Sequence, residues 1–491
     1  MKLKSSVTIL LLVVLFAGMT VAPTVATRAQ TNSVEERIRR VEHGLMFPVA
    51  IKGQPAKGMN ILDRMKHYKV PGVSVAVIEN SSITWARGYG ASEAGTDKIV
   101  TVDTLFQAAS ISKPVATTAA LRLIEQGRLE LDEDVNLKLK SWKVPENEFT
   151  REQKVTIRRL TSHSAGLTVH GFPGYAMEKP LPSVVQILNG EPPANTRPVR
   201  VDTIPGTKWR YSGGGTTVLQ QLLVDATAKT FPHLMQETVL SRAGMRQSTY
   251  EQPLPKNRWE QAAAGHRPNG EKIKGNFHTY PEMAAAGLWT TPSDLARFAI
   301  EIQKSKAGKS RLLSKRMVGE MLTRQSGDYG LGVGLAGEGR GQQFSHGGSN
   351  EGFRCFMVAY SELGKGVAVM TNSDNGDQLV FEIIRAVARE YGWPDYKQVE
   401  REMIKLDPES LKPFVGEYQL APTFTLKIEL EGDHLTATPT GQMKFDLYPE
   451  SEVKFFATQM QAEITFVKND GKVNELTARL FNRNWKGIRL K

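Results

Sequence analysis

Ser110 and Lys113 stand three residues apart in Phe106-Gln-Ala-Ala-Ser-Ile-Ser-Lys113, where a run patterned as a helix opens at Pro114, continues to Gln126 and is closed by Gly127. A serine hydroxyl is a weak nucleophile until a neighbouring group takes its proton, and a lysine one turn further on shares its helix face. Pro114 suits the first turn, where its missing N–H is not needed. Val115, Ala119, Leu123 and Ile124 recur at helical spacing toward a core, whereas Arg122, Glu125 and Arg128 face water. The unpaired backbone N–H groups of such a helix start would lie near the serine, where charge develops on a substrate oxygen. By itself Ser-x-x-Lys also fits a serine N-cap beside a solvated lysine, so other residues must decide.

The elements that would hold this pair follow from the periodicities on either side of it. Gly72 to Gly90 reads as a hairpin: Val73, Val75 and Val77 alternate, Glu79-Asn-Ser-Ser82 turns, and Ile83 to Tyr89 returns. A mostly helical middle runs from Pro114 to about Gly244, with Val218, Leu219, Leu222 and Leu223 on a helix over Thr216 to Lys229. Strand patterns come back at Phe356 to Tyr360 and Gly366 to Thr371, before a helix from about Asp377 to Tyr391. Helices bracketed by strands from both ends predict an α+β fold, an antiparallel sheet flanked by helices with a mostly helical subdomain. Ser33 to Leu45 adds Val34, Ile38, Val41 and Leu45 at helical spacing. Lys397 to Glu409 is polar, and beyond Pro413 short alternating strands follow at Phe424 to Leu430, Phe445 to Leu447, Val453 to Phe455 and Leu476 to Leu480. With turns at Gly432 and Asn469-Asp-Gly471 these predict a small all-β, barrel-like domain. The expected divisions are a first domain over 30–395, a linker over 396–410 and a β domain over 411–491.

Bulk properties narrow the compartment and the partners. Within the 491 residues, 1–29 have the form of an export signal: Lys2 and Lys4 precede an apolar run from Val7 to Ala17, and small residues follow at Ala22, Ala26 and Ala29. The run is shorter than the roughly 20 residues a membrane span needs, so the expectation is an exported, periplasmic or extracellular protein without an integral span after signal removal. Cys355 is the only cysteine, which excludes an intrachain disulfide, and its place in Cys355-Phe-Met-Val-Ala359 predicts a packed thiol. The formal charge of +12 is spread among acidic residues without a nucleic-acid motif, so no nucleic-acid partner is expected. His163 and His170 lack metal-ligand spacing and read as structural, and the glycine-rich Gly330 to Gly341 lacks the Lys-Ser or Lys-Thr of a phosphate loop. No cofactor or metal is implied.

Two further stretches give Ser110 and Lys113 company. Trp209-Arg-Tyr-Ser-Gly-Gly-Gly215 puts Tyr211 in a loop entering a helix, and Phe344-Ser-His-Gly-Gly-Ser349 puts His346 on a glycine-rich stretch before the late strands. In this order Ser-x-x-Lys, Tyr-Ser-x and His-Gly-Gly resemble the three signature elements of the penicillin-binding-protein and class C β-lactamase superfamily of serine hydrolases. The resemblance extends over about Pro71 to Gly392 and includes Leu160 to Leu167, Ala284 to Phe298 and Gly366 to Asn372. It implies that Ser110 forms an acyl-enzyme with Lys113 and Tyr211 sharing the proton traffic. It also implies that the backbone N–H groups of Ser110 and Ser349 form an oxyanion hole, with Gly348 beside them. His346, where many relatives carry lysine, would meet a substrate carboxylate or lend positive charge to Tyr211.

One position departs from that pattern. β-Lactamases of the group carry asparagine as the third residue of the tyrosine motif, and Gly213 has no side chain with which to hold a substrate amide. With His346 in place of lysine, the resemblance implies a small-molecule or peptide substrate and favours ester or small-peptide hydrolysis. The alternatives are a β-lactamase or D-alanyl-D-alanine peptidase, and a weakly acylating penicillin-recognising binding or sensor protein. The C-terminal segment resembles the lipocalin-like barrel appended to some of these hydrolases.

Overall fold

The computed structural model describes residues 24–55, 58–469, 472–480 and 483–490. Most of the expected export signal therefore lies outside the described residues, and helix α1, Thr24–Glu42, runs across the expected cleavage point. The strands around the site are β1 (Gly72–Glu79), β2 (Ser82–Gly90), β3 (Gly334–Ala336), β4 (Gln343–Asn350), β5 (Phe353–Tyr360) and β6 (Gly366–Thr371). The helices that matter to it are α2 (Ser112–Glu125), α3 (Gly213–Thr227), α4 (Met283–Ala286), α5 (Pro292–Lys306) and α6 (Gly376–Glu390).

The β1–β2 hairpin closes through Asn80 and Ser81, both at φ +54°, the left-handed pair that matches the twist of adjoining strands. One antiparallel sheet of order β2-β1-β6-β5-β4-β3 results, with Val73 of β1 opposite Thr371 of β6, so both ends of the domain complete it as the sequence predicts. Strand alternation assigns the two faces. Val73, Val75, Val77, Val367 and Val369 pack on Ile38, Val41, Leu379 and Ile383 of α1 and α6. Ala76, Ile78, Ala368 and Met370 pack on the other side with Leu295, Phe298 and Ala299 of α5 and with α2. The sheet is thus covered on both faces, and β4 near its edge runs past the start of α2. Among the described residues no helix is long and apolar enough to cross a membrane.

The structure differs from the sequence reading in four places. The stretch holding His346 is itself a strand, β4, hidden by Gly347 and Gly348, which carry no strand propensity. Between α2 and α3 the chain is more loop than helix, with short α-helices at Ile157–Thr161 and Val184–Asn189 and 3-10 turns at Val135–Leu137 and Glu148–Thr150. Seven prolines from Pro173 to Pro205 confine helix in the second half of that segment to the one short stretch Val184–Asn189. The polar stretch 397–409 contains a short strand, Val399–Arg401, paired in parallel with Val49–Ile51. The C-terminal region is a closed eight-stranded antiparallel barrel, twice the number of strands legible in its sequence. Tyr418 opposite Arg489 joins the first strand to the last, and Leu426, Ile428, Phe455 and Phe466 fill a separate core.

Candidate active site

Ser110 sits on a short 3-10 turn, Ala109–Ile111, that leads into α2. Ala109 just before it has φ +47°, a conformation that costs an L residue on the order of 1 kcal/mol or more and persists only where neighbours over-determine it. They do so here. The Ala108 N–H donates to Leu288 O at 2.8 Å, and the Ser112 hydroxyl donates to Ala109 O at 2.5 Å while accepting from Leu288 N at 2.9 Å. Tyr250 closes the turn from below by donating to Ser112 O at 2.7 Å. On this rigid turn the buried Lys113 donates from Nζ to Ser110 Oγ at 2.9 Å and to Ala285 O of α4 at 2.8 Å. The carbonyl fixes the lysine, and the lysine addresses the serine.

Tyr211 enters from the other side. Ser212 caps α3 by accepting from Gly215 N at 2.9 Å, and its own N–H donates to His163 Nδ1 at 3.2 Å. The His163 ring lies tilted with its centroid 4.2 Å from that of Tyr211, His170 lies 4.9 Å away, and Lys113 Nζ stands 4.9 Å from the Tyr211 centroid. Lys113 therefore bridges the serine and the tyrosine. Burial pushes His163 well below its ordinary titration range, and the positive charge of Lys113 adds to the effect, so the ring is neutral.

β4 supplies the facing wall. His346 Nδ1 lies 2.7 Å from Gly347 O, and since a carbonyl only accepts, the ring proton is on Nδ1 and Nε2 keeps a lone pair. Burial pushes this histidine down to about 3, Lys113 acting in the same direction and the Gly347 carbonyl against it. In the folded protein without substrate His346 is thus neutral and adds no positive charge beside Lys113. Gly348 lies flat against the nucleophile turn: a Cβ there would collide with Ala108 O and Cys355 Sγ. Cys355 is packed, with burial raising its thiol, which donates to Ala108 O at 3.2 Å. Gly348→Ala is expected to push β4 off the turn, costing about 1–3 kcal/mol as overpacking does. A lowered thermal midpoint together with slower acylation of Ser110 would register it.

These walls enclose a cleft of about 570 Å³ lined by Ser110, Lys113, Tyr211, His346, Gly348 and Ser349, so every expected site residue borders one space. His170, Phe172 and Phe381 line it as well. Sequence reading set His170 aside as structural, and nothing in its local pattern could have brought it beside Tyr211, 41 positions away. Val169 holds that wall at φ +63°, a strained state for a β-branched residue, with the carbonyls of Val169 and His170 accepting from Gly214 N and Gly213 N at 3.0 Å each.

The comparisons decide the family. Residues 60–391 match the family model described as Beta-lactamase, and residues 400–490 match Domain of unknown function (DUF3471). The chain belongs to the β-lactamase family. Members of this family are serine hydrolases. Penicillin-binding protein 4* of Bacillus subtilis (strain 168) is 24% identical over 421 residues, 80% of this chain and 89% of the relative. Esterase EstB of Burkholderia gladioli is 27% identical over 194 residues, 37% of this chain and 47% of the esterase, so the match spans about half that relative. The solved octameric penicillin-binding protein homologue from Pyrococcus abyssi superposes with a TM-score of 0.59 at 20% identity, covering 87% of this chain and 98% of the other, and shares the fold.

Within this β-lactamase fold, the missing asparagine has a visible neighbour. A Cβ on Gly213 would lie 3.0 Å from Phe172 Cε2 and 3.1 Å from His170 O. Phe172 therefore occupies the space in which a side chain at 213 would begin. The wall that could have hydrogen-bonded an amide is an aromatic edge instead.

Proposed function

We propose that the protein is an exported serine hydrolase that cleaves ester or amide bonds of small molecules or peptides through an acyl-enzyme on Ser110. The observation that carries this reading is the 2.9 Å hydrogen bond between Lys113 Nζ and Ser110 Oγ on a conformationally strained turn. The Ser110 oxygen bonds to the substrate carbonyl carbon as its proton passes to the Lys113–Tyr211 pair. The carbonyl electrons move onto the oxygen, where the backbone N–H groups of Ser110 and Ser349 would receive the charge. Collapse expels the leaving group, which takes the proton from the pair, and water repeats the sequence in reverse to free the serine.

Phe172 in the space of a polar side chain and a neutral His346 favour an uncharged, apolar acyl group over a substrate recognised by its amide and carboxylate. This supports short-chain esters or small peptides ahead of β-lactams. The 80% coverage by a penicillin-binding protein keeps β-lactam or D-alanyl peptide hydrolysis as the second reading. A fluorophosphonate probe read by intact mass should add one label to the wild type and none to Ser110→Ala; equal labelling of both sinks the acyl-enzyme reading. Turnover of a p-nitrophenyl ester with nitrocefin left intact selects the first reading, and the converse selects the second.

A further inference from the structure

Beyond the nucleophile the cleft crosses β4 at its glycines. Strand alternation turns His346 and Gly348 inward and leaves Gly347 and Ser349 facing outward. In the ladder Gly347 stands opposite Phe356 of β5, and Ser349 opposite Arg354. A Cβ on Gly347 would lie 3.3 Å from Phe356 Cδ2, so the ring leans over the strand at the place where another residue would raise a side chain. Phe356 in turn meets Phe381 of α6 with the ring centroids 5.0 Å apart. Together with Val380 these rings form an apolar shelf at one end of the cleft, and Asp377 completes the lining there.

The charge at that end is negative. The Asp377 side chain is 67% exposed, and its carboxylate lies 3.4 Å from Arg354 Nε. The same guanidinium makes its closer contact, 2.8 Å, with Asp374 and donates to Asn350 O at 2.7 Å, so one cation serves two carboxylates. Lys113, the ammonium that lines the cleft, is engaged with Ser110 Oγ and Ala285 O. A substrate carboxylate placed on the shelf would meet two phenyl rings and a like charge. A cation would meet the opposite: aromatic faces attract positive charge through their quadrupole, and the carboxylate adds to the attraction.

Acyl and leaving groups lie on opposite sides of the scissile carbonyl. With the acyl group against Phe172, the leaving group falls on the shelf. We propose that Phe356, Phe381 and Asp377 form a leaving-group subsite for an organic ammonium, so that the preferred substrates are esters or amides whose departing alcohol, thiol or amine carries a positively charged nitrogen on a short apolar arm. The proposal rests on the acyl-enzyme reading and names the substrate class of that same site.

Three butyric thioesters with a common acyl group test it: the thiocholine ester, its uncharged 3,3-dimethylbutyl isostere and the ester of 3-mercaptopropionate. In each, Ser110 Oγ bonds to the carbonyl carbon, the C–S bond breaks, and the sulfur departs with the electron pair and the proton, so released thiol is counted with a disulfide reagent. The butyryl-enzyme and its hydrolysis are the same for all three, and kcat/KM reads the leaving group alone. The thiocholine ester should exceed its isostere by about 5- to 30-fold, the range of a cation on aromatic faces beside a carboxylate, and the carboxylate ester should fall below both. Asp377→Asn should bring the thiocholine-to-isostere ratio within about threefold, leaving the aromatic part, and relieve the penalty on the carboxylate ester. Asp377→Lys should invert the order of cation and carboxylate, a reversal that loss of folding does not produce. A thiocholine-to-isostere ratio of one or less in the wild type, a ratio unmoved by either substitution, or turnover of no thioester while a fluorophosphonate still labels Ser110 overturns the subsite. Labelling of Ser110→Ala overturns the acyl-enzyme reading instead.

Discussion

Lys113→Met is expected to slow acylation of Ser110 by about 10²- to 10⁴-fold, the span of a positioned general acid–base group. Methionine keeps the length of the apolar stem in a site where the lysine is buried, and removes the nitrogen that touches both Ser110 Oγ and Ala285 O. The loss should appear in the acylation rate and not in ground-state binding, because Lys113 contacts the nucleophile and not the outer cleft. Lys113→Arg tells charge from proton transfer. A guanidinium keeps the charge over Tyr211 but does not give up a proton, so it is expected to remain as slow as methionine. Second-order rate constants for a fluorophosphonate and for an aryl ester, measured on variants with wild-type far-UV dichroism, check both. Rates within threefold of wild type for Lys113→Met would take Lys113 out of the proton relay. Ala285 O loses its partner in the variant, so a stability loss of about 1–3 kcal/mol should accompany the kinetic one.

Much of this site was legible because its signals are local. Ser110 and Lys113 are one turn apart, and Tyr211 directly precedes the serine cap of a helix, so short windows of sequence carry the geometry. The Val73-Val75-Val77 alternation and the Asn80-Ser81 turn likewise encode β1 and β2 without distant information. What escaped depends on contacts between remote segments. β4 is a strand because Phe344 and His346 pair with Ala359 and Met357 of β5, which outweighs two glycines that would otherwise favour a loop. The charge of His346 could not be read from its type: burial and the ammonium of Lys113 determine it, and both belong to the folded state. His170 reaches Tyr211, and Phe172 the same cleft, from a loop whose course local patterns leave open, and the tight packing at Gly213 and Gly348 explains only afterwards why glycine stands there. In the barrel, strands such as Glu463–Asn469 bury Ile464 and Phe466 on one face, too short an alternation to stand out alone.

The second large effect concerns stability, not rate. Glu282 caps the start of α4, whose Ala285 carbonyl holds Lys113, and it is fully buried with neither carboxyl oxygen meeting a hydrogen-bond partner on another residue. Burial pushes its carboxyl up to about 8 from an ordinary 4.5, opposed only by its own backbone N–H. The sign follows from proton counting. Below about pH 4.5 both folded and unfolded chains carry the proton and the group is silent. Between there and pH 8 the unfolded chain loses the proton while the folded chain keeps it, so stability falls as pH rises, and above pH 8 the decline levels off. At about 1.4 kcal/mol per unit, the accumulated loss is on the order of 4–5 kcal/mol. Glu282→Gln removes this titration while leaving a carboxamide of nearly the same shape. The variant should therefore gain on the wild type by several kcal/mol between pH 5 and pH 8, whatever its offset at pH 5. Denaturant unfolding of both proteins at unit pH intervals gives the difference directly, and contributions from groups common to both cancel. A pH-independent difference would mean that Glu282 ionises normally, and that the floor beneath Lys113 is more polar than its packing indicates.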